Sequence, residues 1–205
     1  MPGREHAGNL AHPGKAETLI EQIRPDAVIN AAGWPGSPNV DATVEEPIRC
    51  LEANLTLPLA VARACEKRKI PLGHVSTGCI YFGRREDGQG FTESDPPNFG
   101  LWSEPAGLYS RCKDLAEKTI PLLQPASWLW RLRMPFDHID HPRNYLSKIL
   151  RYSCLLEAVN SLSHLDDFAS TCLDSMEKTI PFGTYNLTNP GEIRTSEISA
   201  MMEQA

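Results

Sequence analysis

The feature that most constrains this chain is a series of short apolar segments separated by amphipathic stretches. Asp26-Ala27-Val28-Ile29-Asn30, Pro71–Thr77 and Ser127–Arg133 are too short for helices and apolar at their centres. That is the pattern of strands buried on both faces of a parallel sheet. Between them, Lys15–Ile23 sets Leu19, Ile20 and Ile23 at helical spacing before Pro25 ends the run. A longer helical stretch covers Glu45–Lys69, interrupted or tilted near Pro58, and Leu108–Leu123 forms another. Beyond the third strand, Arg143–Tyr152 and His164–Lys178 read as amphipathic helices, Gly183–Leu187 as a short strand and Thr195–Met202 as a last helix. Strand and helix alternate throughout, which predicts an α/β fold with a mostly parallel, doubly wound sheet.

Ligands of such sheets bind beyond the carboxyl ends of the strands. The loops after Asn30, Thr77 and Arg133 all leave predicted strand ends, so they mark one candidate edge. The polar loop from Arg84 to Gly107 is too long to be an idle connection.

Composition narrows the function. The 205 residues suffice for one core with a small appendage, and a formal charge of −6 argues against coating nucleic acid or an anionic membrane. No apolar run is long enough to span a bilayer, and residues 1–15 carry no signal-peptide core. The six cysteines lack CxxC spacing, as suits reduced thiols, and the expected location is cytoplasmic. His138 and His141 stand in a Pro-flanked loop without a second ligand pair, so no metal site is expected.

Chemistry concentrates in Tyr109-Ser110-Arg111-Cys112-Lys113. Four residues make one helical turn, so the phenol and the ammonium share a face. A phenol of ordinary pKa near ~10 is a poor proton donor-acceptor at neutral pH, and a neighbouring cation lowers it. Ser76-Thr77-Gly78-Cys79 lies at a strand end upstream. A hydroxyl there can hold a substrate carbonyl beside the tyrosine, or simply satisfy backbone groups. If the chain stays extended past the strand, Thr77 and Cys79 point to one side. On the residues alone, Cys79 reads first as a packed loop thiol and Lys148 as a solvated helix lysine.

Several phrases carry a resemblance. Asn30-Ala31-Ala32-Gly33, the longer Asn30–Asp41 run NAAGWPGSPNVD, Ser76–Phe82 (STGCIYF), Pro97-Asn98-Phe99, Arg131–Pro135 (RLRMP), Pro142-Arg143-Asn144 and Tyr185–Gly191 (YNLTNPG) resemble the bifunctional nucleotide-rhamnose synthases. These 3,5-epimerase/4-reductases of the extended short-chain dehydrogenase/reductase class are similar to dTDP-4-dehydrorhamnose reductase. The resemblance runs from about Arg24 onward. It implies a Rossmann-like sheet, with residues 1–135 an incomplete NAD(P)-binding domain and 136–205 part of a substrate-binding lobe. The implied cofactor is NADP(H) or NAD(H), the implied substrate a UDP- or dTDP-linked 4-keto-6-deoxy sugar, and a homodimer is compatible.

Residue by residue, the resemblance implies Tyr109 as the reduction acid, Lys113 as its tuner and a ribose ligand, and Thr77 as the carbonyl clamp. Cys79 and Lys148 would form the epimerase pair. Asn30, Ala31, Ala32, Gly33 and Arg133 would join Tyr109 and Lys113 in binding the cofactor; Asn39, Asn98, Arg143 and Asn144 would join Thr77 in binding the substrate.

Three departures accompany it. No Gly-rich GxxGxxG turn occurs; the expectation is a partial chain that lacks the first, central strand and enters the fold at Met1-Pro2-Gly3-Arg4. Relatives continue for a few dozen residues past Ala205, and the loop Phe99–Leu108 is longer than theirs. Trp34 and Trp102 stand in the presumed ligand loops, where partial burial is expected over stacking on a base. Two other functions fit the residues: a non-catalytic, reductase-like binding protein, of the kind that regulates methionine adenosyltransferase, or an epimerase alone.

Overall fold

The computed structural model describes residues 8–104, 106–178 and 180–204. The expected chain entry at Met1–Arg4 lies outside the described residues. Two compact units emerge, one running through Trp130 and taking in Phe182–Tyr185, the other formed by Arg131–Pro181 and Asn186–Ala205.

In the first unit, α1 (Lys15–Ile23) is the helix expected from the spacing of its apolar residues. It turns Ala16 and Ile20 onto a core shared with Val61, Ala62, Ala64, Cys65, Leu72, Ala116, Ile120 and Leu129. Strands β1 (Val28–Asn30), β2 (Leu72–Thr77), β3 (Ser127–Leu132) and β7 (Gly183–Asn186) form one four-stranded parallel sheet in that spatial order. β1 and β2 run parallel with Val28 opposite Leu72 and Asn30 opposite His74. That register sets the end of β1 beside His74, so β2 runs on to Thr77 past the start of the Asn30 loop. Trp130 of β3 is fully buried. Its ring fills the space beside Gly73, where a Cβ would lie 2.2 Å from it.

The expected long helix is split in three. α2 (Pro47–Leu51) passes into a π-helical turn, Glu52–Thr56, and then into α3 (Leu57–Arg68). Pro58 has no N–H for the Asn54 carbonyl, so the chain widens just before it, and the Leu57 N–H reaches back to the Glu52 carbonyl. After β2, the expected extended continuation is replaced by a 3₁₀ turn, Gly78–Ile80. The physical reason is local: Thr77 Oγ1 accepts the Cys79 N–H at 3.1 Å and folds the chain over. Helix α4 spans Leu108–Leu123, as its pattern predicts.

In the second unit, β4 (Pro135–Phe136) pairs in parallel with β6 (Ser163–His164), and β5 (Val159–Asn160) antiparallel with β8 (Ile193–Arg194). Its helices are α5 (Tyr145–Arg151), α6 (Leu165–Glu177) and α7 (Thr195–Glu203). Helix α5 starts two residues later than Arg143. Asn144 is its cap, with Oδ1 accepting the Leu146 N–H at 3.0 Å, and Arg143 lies outside it. No helix is long and apolar enough to cross a membrane among the described residues.

Candidate functional site

The 3₁₀ turn and α4 are tied together at two points. Ser110 Oγ donates to the Cys79 carbonyl at 2.8 Å, and Lys113 Nζ donates to the Val75 carbonyl at 3.1 Å. The start of α4, which carries Tyr109 and Lys113, is thereby held against β2 and the turn after it, which carry Thr77 and Cys79. Tyr109 packs on a small cluster of Trp34, Cys50 and Cys112. Thr77 is buried and its hydroxyl already caps the turn, while Cys79 is half-buried.

Asn30 ends β1 and turns the chain. Its Oδ1 accepts the Ala32 N–H at 3.1 Å, which fixes the amide so that Nδ2 donates to His74 Nδ1 at 3.2 Å. Ala31, Ala32 and Gly33 follow as an exposed turn. Gly33 passes so close to the site that a Cβ would lie 3.2 Å from Asn54 Oδ1 and 3.5 Å from Lys113 Nζ.

Lys113 is 4% exposed. Burial lowers its pKa to about 8, and the nearby Glu117 charge works against that fall. His74 is fully buried; burial, then the Lys113 charge, pushes it well below the usual histidine range. The imidazole is thus neutral, and its Nε2 has no hydrogen-bond partner among the described residues. Burial also pushes the Cys112 thiol up to about 12, with the adjacent Cys50 adding to it.

Three contributors were not legible as site residues. Asn54 is fully buried in the π-helical turn. Its amide takes the Trp34 N–H at 3.1 Å and gives to the Trp34 and Cys50 carbonyls, so it fixes the loop beyond Gly33. A helical asparagine just before a proline was the available signal. The other two, Arg111 and Asp114, clamp the long loop. Arg111 donates to the carbonyls of Leu101, Ser103 and Ala106 and pairs with Glu104, while buried Asp114 accepts the Leu101 N–H at 2.7 Å. The loop before Tyr109 is therefore built onto α4 itself.

Several of the remaining expected residues are committed to other partners. Asn39 is exposed and caps a short 3₁₀ turn through Asp41 N–H. Asn98 grips both backbone groups of Phe82. In the second unit, Arg133 Nε donates to Asn160 Oδ1 at 3.2 Å, and buried Asn144 spends its amide on Asp137 and Ile139. Arg143 is exposed, and Lys148 is half-buried on α5. Trp34 is buried with the Arg49 guanidinium 4.6 Å over its ring. Trp102, expected to be partly buried, is instead 87% exposed. The Arg111 and Asp114 clamps hold the loop by its backbone and leave its apex side chain outside. Among the described residues, no group of three or more His, Cys, Asp or Glu could hold a metal ion.

An α/β sheet carrying this constellation at its strand ends is of the rhamnose-reductase type. The comparisons make the family specific. A model of the RmlD substrate binding domain matches residues 1–202. The chain belongs to that family. It is 32% identical over 190 residues to the bifunctional dTDP-4-dehydrorhamnose 3,5-epimerase/dTDP-4-dehydrorhamnose reductase of Arabidopsis thaliana, covering 89% of this chain and 60% of that protein. The crystal structure of the L780 UDP-rhamnose synthase of Acanthamoeba polyphaga mimivirus superposes with a TM-score of 0.86 at 29% identity, over 96% of this chain and 69% of the other. A dTDP-4-dehydrorhamnose reductase of Bacillus anthracis, solved with NADP, shares the fold at TM-score 0.77 and 18% identity, over 98% of this chain and 70% of that one. The chain thus spans 60% and 65% of the length of two of the curated relatives it matches, and 27–30% of three longer ones.

Proposed function

We propose that the chain carries the proton-transfer side of an NADPH-dependent nucleotide-sugar epimerase/reductase, which converts a nucleotide-linked 4-keto-6-deoxyglucose to the nucleotide-L-rhamnose. The observation that carries this reading is the buried Lys113 ammonium one turn from Tyr109, on a helix bonded to Val75 of β2 and to Cys79 in the turn that follows it. Family membership and the NADP-bound neighbour support it.

The residues fit the nicotinamide-ribose end of a dinucleotide. The Ala31–Gly33 backbone is exposed, Gly33 offers no side chain, and Lys113 Nζ spends one N–H on Val75, so two remain for hydroxyls. Arg133 is assigned to the same ligand by family resemblance. A dihydronicotinamide bound there would supply the hydride for C4.

The chain's own groups handle protons. A 4-keto group acidifies the hydrogens at C3 and C5, so a base can remove each to give an enolate. Cys79, half-buried beside the clamp, takes or returns a proton on one face. Lys148 is carried as its counterpart by resemblance alone. Thr77 orients the carbonyl, and Tyr109 protonates the alkoxide formed at C4. The Lys113 cation eases the phenolate that remains. The nucleotide carried is UDP or dTDP, and Asn39, Asn98, Arg143 and Asn144 are proposed around the substrate, the last two in the second unit.

Epimerisation needs no nicotinamide, which gives a clean test. Incubating a nucleotide-4-keto-6-deoxyglucose with the protein in heavy water, without NADPH, should place deuterium at C3 and C5. Cys79→Ala should slow one exchange by about 10²-fold or more. Absence of exchange by the intact chain would remove the epimerase half of the proposal.

A further inference from the structure

An ammonium buried as deeply as Lys113 stays charged only beside a counter-charge. Glu117 lies four residues on, so it shares the helix face of Lys113, and it is 6% exposed. Both side chains meet β2 at successive residues: Lys113 Nζ bonds the Val75 carbonyl, and Glu117 Oε1 accepts the Ser76 hydroxyl. That bond fixes the Glu117 carboxyl against the strand.

Among the charges that raise the Lys113 pKa, Glu117 has the largest effect, ahead of the other groups that face it. From β1 and the π-helical turn come the amides of Asn30 and Asn54; from β2 comes His74, held neutral. The thiols of Cys50, Cys79 and Cys112 face it from α2, the 3₁₀ turn and α4, and Cys112 is pushed up to about 12. Tyr109 stands one turn back. Asp114, the next residue, is committed to the loop through the Leu101 N–H and to Lys118 at 2.6 Å.

We infer that Glu117, anchored by Ser76, is the buried counter-ion that keeps Lys113 protonated, and is thus a positioning residue that acts on the site through that lysine. The inference deepens the reductase reading, because the lysine charge is what tunes Tyr109. Its test does not depend on that reading.

The full chain is labelled with ¹³C at lysine Cε, and Lys113 is followed by NMR as pH is raised, with Lys113→Met assigning its signal. In the parent protein the midpoint should fall near 8. Glu117→Gln keeps an oxygen for the Ser76 hydroxyl and removes only the charge. It should lower the midpoint by about one pH unit or more, a tenfold weaker hold on the proton. Glu117→Asp, which keeps the charge, should stay nearer the parent and serves if the glutamine variant fails to fold. A purely structural Glu117 would not move this midpoint. An unchanged or raised midpoint in the Glu117→Gln protein, or a fall in Glu117→Asp as large as charge removal predicts, overturns the inference. Failure of the sugar reaction with the NMR result intact would instead count against the reductase reading alone.

Discussion

Lys113 concentrates the energetic tension of the site in one residue. Its folded pKa is lowered to about 8 from an ordinary value of 10.5. Between those values the unfolded chain holds a proton that the folded chain has released, so stability rises with pH across the window. Burial pushes the thiols of Cys65, Cys112 and Cys172 up to about 12 from 9, and they act in the opposite sense above pH 9. The lysine is therefore best seen alone between pH 8 and 9. All four tryptophans lie in the first unit, so their fluorescence during urea unfolding reports on it. Across that interval the parent should gain about 1 kcal/mol relative to Lys113→Met. No relative gain would mean that the lysine is not held down by its burial. The same titration should weaken reduction on the alkaline side, because Tyr109 then loses its neighbouring cation.

At the scale of elements, the sequence pattern and the structure agree where one residue's preference decides the outcome, and diverge where a distant partner does. Helix α4 begins and ends where its periodicity predicts, and β2 and β3 follow their apolar runs closely. Pro58 announces an interruption, but the widened turn sits at Glu52–Thr56 because Asn54 finds Trp34, 20 residues away, and that pairing leaves no local trace. The sequence leaves the turn after Thr77 open for a different reason: a strand-terminal threonine can hold a substrate carbonyl or serve its own backbone, and here it caps its own turn in preference to extending the strand. The clamp of Arg111 and Asp114 on the loop was likewise hidden. Both occupy or flank the YxxxK interior, where spacing draws attention only to its ends. The weight of Asn54 can be measured. Asn54→Ala removes bonds to Trp34 and Cys50 and leaves buried backbone groups unpaired, so it should destabilise the first unit by about 2–4 kcal/mol in urea unfolding. A loss below about 0.5 kcal/mol would show that the loop holds itself.

For the whole molecule, the chain comprises a four-stranded parallel sheet with its helices, and a second unit of paired short strands and three helices. The first unit supplies Thr77, Cys79, Tyr109 and Lys113; the second carries Lys148, Arg143 and Asn144. Family membership was legible because whole phrases such as Ser76–Phe82 and Asn30–Asp41 carry it. The electrostatic support of the site was not, since Ser76 meets Glu117, and His74 meets Lys113, only after β2 and α4 are packed. The central proposal is that Thr77, Tyr109 and Lys113 serve the reduction of a 4-keto sugar by NADPH. Its most direct measurement mixes the chain with NADPH and UDP- or dTDP-4-keto-6-deoxyglucose and follows the loss of dihydronicotinamide absorbance, with the product identified by mass spectrometry. The account predicts a nucleotide-6-deoxyhexose two hydrogens heavier than the substrate, formed about 10²–10⁴-fold more slowly by Tyr109→Phe. An equal rate with Tyr109→Phe, or no reduction of either sugar by the intact chain, would contradict it.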